Sequence, residues 1–103
     1  MTPERNVKNK INDYIKSLQK QKIKIYSEPR IVGGYTYKKG VPDIWVVLNG
    51  RHIEFEIKRE DGGILSTMQL QYQKYFTDLG IPCYTVNSLD EFKEILKKEG
   101  LDV

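Results

Sequence analysis

Cysteine is nearly absent from this chain. Cys83 stands alone among 103 residues, which excludes an internal disulfide framework and a zinc cluster built on paired cysteines. Histidine is equally scarce, with His52 the only one. Long apolar runs are missing too. No stretch approaches the roughly 20 apolar residues that a membrane-spanning helix needs, and the opening MTPERNVKNK has no apolar signal-peptide core. A reducing cytoplasm and no membrane partner are therefore expected. Repeats, low-complexity tracts and linkers are also absent, and the length fits one domain over residues 1–103. A domain this small buries a modest core, and a dimer partner would help its stability.

The composition is ordinary for a folded protein: 39% hydrophobic and 30% charged. The charge is unevenly placed. Residues 1–40 hold ten basic and three acidic groups, whereas residues 41–103 hold seven basic and eleven acidic ones. A basic half beside an acidic half points to a polyanion contact next to a site that holds cations, or to a lysine-rich helix that is merely solvated.

Periodicity outlines the elements. Thr2 and Pro3 suit the start of a helix, as N-cap and first helical residue. Its apolar stripe (Val7, Ile11, Tyr14, Ile15, Leu18) runs to about Lys20. Ile23 and Ile25 alternate with Lys22 and Lys24, as in a half-buried strand that Glu28-Pro29 ends. Residues 30–40 read as a short strand or a mobile loop. Two β-rich runs then flank Asn49-Gly50, the strongest short-range hairpin signal. Ser66 caps a helix reaching about Leu79, with Met68, Tyr72, Tyr75, Phe76 and Leu79 at helical spacing, and Gly80 ends it. Residues 81–86 read as a strand, so strand, helix and strand in succession imply a right-handed crossover and parallel pairing. Ser88 and Glu91 form a capping box for a last helix closed by Gly100. The order αβββαβα describes an α/β fold on the border of α+β, a mixed sheet flanked by helices.

The hairpin carries the chemistry. A two-residue turn sets Leu48 opposite Arg51 and, farther along both strands, Asp43 opposite Glu56. Alternation puts Ile44, Val46, Leu48, Ile53, Phe55 and Ile57 on one face, which must be core. Asp43, Trp45, Val47, His52, Glu54, Glu56 and Lys58 share the other. Opposed carboxylates have Cβ atoms roughly 4.5–5.5 Å apart and repel, which destabilises the sheet. A divalent cation between them reverses that effect. Mg²⁺ favours such a place, with one or two carboxylates plus water and substrate phosphate. Lys58 lies about 6.5–7 Å beyond Glu56 along the strand, within reach of a cation-bound water. An exposed strand bearing Glu and Lys would account for Glu56 and Lys58 alone; the register that adds Asp43 makes coincidence harder to sustain.

These residues, Gly40-Val41-Pro42-Asp43 followed by Glu56-Ile57-Lys58, resemble the PD-(D/E)XK nuclease superfamily. The pattern is most similar to its VRR-NUC branch, the virus-type replication–repair nucleases. Glu4 in the first helix and Leu65-Ser66-Thr67-Met68-Gln69 after the hairpin extend the likeness in the same order over residues 4–80. The resemblance implies a restriction-endonuclease-like core and metal-dependent phosphodiester hydrolysis. It makes Asp43 and Glu56 ligands of Mg²⁺ or Mn²⁺, with the backbone carbonyl of Ile57 as a further ligand and Lys58 as the group that activates or positions water. By analogy with junction-cleaving relatives, it implies a homodimer that cuts branched or double-stranded DNA in repair, in a bacterium or a virus-infected cell, with no small-molecule cofactor.

Two of these residues keep a second reading. Glu4 is explained by the helix dipole, yet it lies on the inward stripe, where a cation or its water would satisfy it. Gln69 is explained by its capping box with Ser66, and the resemblance points it at the site. Arg30, Tyr35, Tyr37, Lys38, Lys39 and Arg59 are candidates to grip phosphate and stack on bases. Trp45 is expected to pack under a helix, His52 to be structural, Glu54 to support Glu56 and Cys83 to be inert packing. A non-catalytic nucleic-acid-binding or dimerisation module with the same fold, and an RNA-directed nuclease, stand as alternatives.

Overall fold

The computed structural model describes residues 3–28, 30, 40–59 and 63–102. Helix α1 spans Pro3–Lys20 and is followed by strands β1 (Ile25–Tyr26), β2 (Ile44–Leu48) and β3 (Arg51–Ile57). Helix α2 (Thr67–Asp78), strand β4 (Cys83–Val86) and helix α3 (Leu89–Lys98) complete the order. The Thr2 cap and the stretch 31–39 lie outside the described residues.

The four strands form one mixed sheet in the order β1-β2-β3-β4. Strands β1, β2 and β3 are antiparallel neighbours, and β4 runs parallel to β3. The β2–β3 register is the one that the Asn-Gly turn implies: Leu48 faces Arg51 and Ile44 faces Phe55. Asn49 (φ 54°) and Gly50 (φ 76°) both take the left-handed backbone that a two-residue type I′ turn demands.

Alternation sorts the sheet into two faces. Ile44, Val46, Leu48, Ile53, Phe55 and Ile57 are all buried on one. Val7, Ile11, Ile15 and Leu18 of α1 and Phe92 and Leu96 of α3 complete that core, each apolar side chain contributing roughly 1.5–3 kcal/mol when fully buried. Helix α2 lies on the opposite face, where Gln73 donates to Thr85 and Gln69 to Glu56.

Two elements depart from the sequence reading. The strand expected at Ile23 begins at Ile25, because Lys22 (φ 66°) ends α1 in a Schellman motif. The Lys22 and Ile23 amides donate back to the Gln19 and Leu18 carbonyls. The strand expected over residues 81–86 starts at Cys83, since Ile81 closes the same kind of motif on α2 and Pro82 lacks an amide. Helix α2 buries no residue: Met68, Leu70, Tyr75 and Leu79 are exposed. It sits over the polar half of the sheet, so its apolar spacing does not build core.

Gly40, four residues before β2, stands where only glycine fits. Its φ is 91°, and a Cβ there would stand 2.6 Å from the Cβ of Met68 and 2.8 Å from its carbonyl carbon. Gly40→Ala therefore combines a left-handed penalty with a clash against the first turn of α2. A loss of about 2 kcal/mol is expected, read as a melting temperature lower by roughly 10 °C. A thermal melt unchanged within about 2 °C would contradict this close approach.

Candidate active site

Asp43 stands one residue before β2, just past the last pair of the β2–β3 ladder. Its Oδ2 accepts the Ile57 amide at 2.9 Å, and its Oδ1 lies 3.1 Å from the Lys8 ammonium. One carboxylate oxygen is thus fixed by β3 and the other is turned toward α1. Glu56 points from β3 to the same side and is only 2% exposed. Its Oε1 accepts the Gln69 amide and lies 4.0 Å from Lys58 Nζ, while its buried Oε2 has no hydrogen-bond donor among the described residues.

Burial pushes the Glu56 carboxyl up to about 8. That value includes the contribution of the Asp43 charge and hydrogen bond, the opposing effect of Lys58 and a smaller rise from Glu4. Glu4 reaches the site because it precedes Val7 by three residues on the inward stripe of α1. A carboxylate with an orphaned oxygen and a second carboxylate beside it is a place short of one cation. Among the described residues no three Asp, Glu, His or Cys side chains group as a metal cluster. Two carboxylates alone leave room for a cation that completes its shell with backbone oxygen, water and phosphate, as Mg²⁺ does. Asp43 and Glu56 fit such an ion.

Gln69 links the elements. Its amide oxygen accepts the Ser66 amide at 2.8 Å and the Lys58 ammonium at 3.0 Å, and its amide nitrogen donates to Glu56. Both readings of Gln69 hold at once: it closes the capping box and it joins the two charged groups of β3. The Lys58 stem runs past Gly63, and its side chain is 11% exposed. Arg59 follows it and is exposed.

The neighbouring carboxylate, Glu54, is 1% exposed and well supplied. Arg30 grips it through both terminal nitrogens at 2.7 and 2.8 Å, and His52 Nε2 bonds its Oε2. Arg30 also donates to the Pro42 carbonyl at 2.6 Å. The Arg30 guanidinium is held on Glu54, where it braces Pro42 next to Asp43, and it also borders the hollow on α1. Trp45 stacks on His52 and leans on Tyr26, with ring centroids 5.3 and 5.7 Å away, rather than lying under a helix. Burial pushes the Cys83 thiol up to about 11, the state of an unreactive cysteine. Tyr35, Tyr37, Lys38 and Lys39 lie outside the described residues.

Sequence reasoning missed Lys8 and the cleft beside it. Arg5, Lys8, Asn9 and Asn12, from one face of α1, line a hollow of about 220 Å³ with Arg30 and Asp43. Helical spacing from Glu4 was the available signal, since Lys8 follows it by four residues.

No family model and no curated protein matches the sequence. Among solved structures, a chain described as a VRR_NUC domain shares the architecture. The likeness covers 94% of this chain and 97% of that one, with a TM-score of 0.73 at 19% identity. At that identity the common feature is the fold, which in the described residues of this chain is three helices around a four-stranded mixed sheet.

Proposed function

We propose that this protein is a divalent-metal-dependent nuclease that hydrolyses phosphodiester bonds in DNA. One observation carries the reading: Glu56, buried with an unpartnered oxygen, lies beside Asp43 and within 4.0 Å of Lys58. The fold shared with a VRR_NUC domain supports it. Asp43 and Glu56 would hold Mg²⁺ or Mn²⁺, joined by the Ile57 carbonyl and, at the rim, by Glu4. When bound, the ion would lower the pKa of water and draw charge from the scissile phosphate.

The protein's own groups do the rest. Lys58 orients the attacking water and stabilises negative charge building on the phosphate. Gln69 holds Lys58 and Glu56 in one geometry, so that neither must reorganise as the reaction proceeds. Basic groups on α1 contact backbone phosphates, so affinity falls steeply with salt. A domain this small has little surface for reading base edges, which favours recognition of DNA shape, branched junctions included. A homodimer would bring two such sites to two strands.

Cleavage of a substrate panel tests the proposal: four-way junction, flap, linear duplex, single strand and RNA duplex, each with Mg²⁺, Mn²⁺ or chelator. Metal-dependent cutting of DNA by the wild type, absent in Asp43→Ala, is expected. Tight binding of every DNA without cutting would overturn the enzyme reading in favour of a binding module. Preferential cutting of RNA would overturn the DNA assignment.

A further inference from the structure

We infer that Lys8 is the resident counter-ion of the site: it occupies Asp43 until a divalent cation displaces it, and then turns to a phosphate of the nucleic acid. The inference rests on the metal-dependent reading above and adds a coupling between cation and substrate.

Both oxygens of Asp43 are engaged. Its Oδ2 accepts the Ile57 backbone amide, and its Oδ1 faces the Lys8 ammonium at 3.1 Å. A cation that takes Oδ1 displaces Lys8 or lies against it, and two positive charges at such a separation repel. The two lysines of the site differ in freedom. Lys58 is packed, bonded to Gln69 and 11% exposed, whereas Lys8 is 31% exposed on a flexible four-carbon stem. Lys58 stays in place and Lys8 can swing.

The cleft gives the destination. Arg5, Lys8, Asn9 and Asn12 fall on one helical face and line the same hollow beside Asp43. Glu28 borders it as well, but with Arg30 its cations and amide donors outnumber the Glu28 and Asp43 carboxylates and suit a phosphodiester backbone arriving next to the reaction centre. A phosphate there draws Lys8 off Asp43, and a cation on Asp43 releases Lys8 to the phosphate. Linkage makes the two effects equal: substrate tightens metal binding by the factor with which metal tightens substrate binding.

Mn²⁺ affinity of the DNA-free protein, by calorimetry and by the spin-resonance signal of free Mn²⁺, gives the first test. Lys8→Met keeps the stem and removes the charge. Its Mn²⁺ affinity should rise by roughly threefold to tenfold, the scale of one partly exposed ion pair. Lys8→Arg keeps the charge and should stay within about twofold of the wild type. In a cleavage-silent Lys58→Ala background, duplex DNA should tighten Mn²⁺ binding, and adding Lys8→Met should weaken that effect, leaving the share that comes from phosphate on the cation itself. Equal Mn²⁺ affinity in wild type and a folded Lys8→Met protein would overturn this inference and leave the nuclease reading intact. Absence of any Mn²⁺ binding to the wild type would overturn both.

Discussion

Replacing Glu56 by glutamine is expected to abolish cleavage and, at the same time, to strengthen the cation-free fold at alkaline pH. The two results have one cause. Burial and the Asp43 charge lift the Glu56 carboxyl from 4.5 to about 8, so the folded chain keeps a proton that the unfolded chain has already released. Between those values folding binds one extra proton, and stability falls as pH rises. The Glu56 contribution is fully present below pH 4.5 and is lost by the time pH has passed about 8. Glutamine keeps the shape, carries no charge and titrates nowhere. The difference in melting temperature between variant and wild type should therefore grow from pH 5 to pH 8 and level off above. Mn²⁺ at pH 8 should raise the wild-type melting temperature by mass action and barely move the variant's. Cleavage should fall by roughly 10³-fold, as for other losses of charge stabilisation in a transition state. A variant cutting within about tenfold of the wild type would remove Glu56 from the mechanism.

Strand β3 treats its two buried carboxylates in opposite ways. Glu54 receives Arg30 through a two-pronged contact and His52 besides. Glu56, two residues on and facing the same side, receives one amide and keeps an orphaned oxygen. A buried carboxylate with full partners is a structural element, and one left short is a binding site in waiting. Arg30 joins the two roles, because the guanidinium that satisfies Glu54 also holds the Pro42 carbonyl next to Asp43.

Local signals carried the sequence reading a long way into this site. Asn49-Gly50 set the register that brings Asp43 to the end of β3, and Ser66 with Gln69 marked the start of α2. Both are short-range: a turn and a cap are decided by neighbours in the chain. What stayed hidden depends on distance or on backbone that side chains do not announce. Lys22 takes a left-handed conformation more usual for glycine, so the end of α1 looked like the start of a strand. The spacing of Met68, Tyr72 and Tyr75 matches a buried helix, but periodicity names a face without naming what covers it. The Arg30–Glu54 contact spans 24 positions, and nothing in either segment alone selects the other. Lys8 is of the same kind, since its partner comes from a different element.

Lys58→Ala separates chemistry from architecture more cleanly than any ligand substitution. The lysine follows β3 and its backbone amide still donates to the Val86 carbonyl at 2.8 Å whatever side chain it bears. Removing the ammonium leaves the Gln69 oxygen on the Ser66 amide, so the cap of α2 survives and the fold should persist. Binding of duplex DNA should stay within about threefold, because the side chain is only 11% exposed and its Nζ faces Gln69 and Glu56 rather than the cleft on α1. The rate of the cleavage step should fall by roughly 10²–10³-fold, since a charge aimed at the reacting phosphate acts most strongly in the transition state. Single-turnover cleavage at saturating enzyme isolates that rate from binding. Lys58→Arg should recover little of it, because a planar fork cannot place its charge where a compact ammonium stands against Gln69. A loss of affinity with an unchanged single-turnover rate would make Lys58 a phosphate contact like those on α1 and would move the chemistry elsewhere.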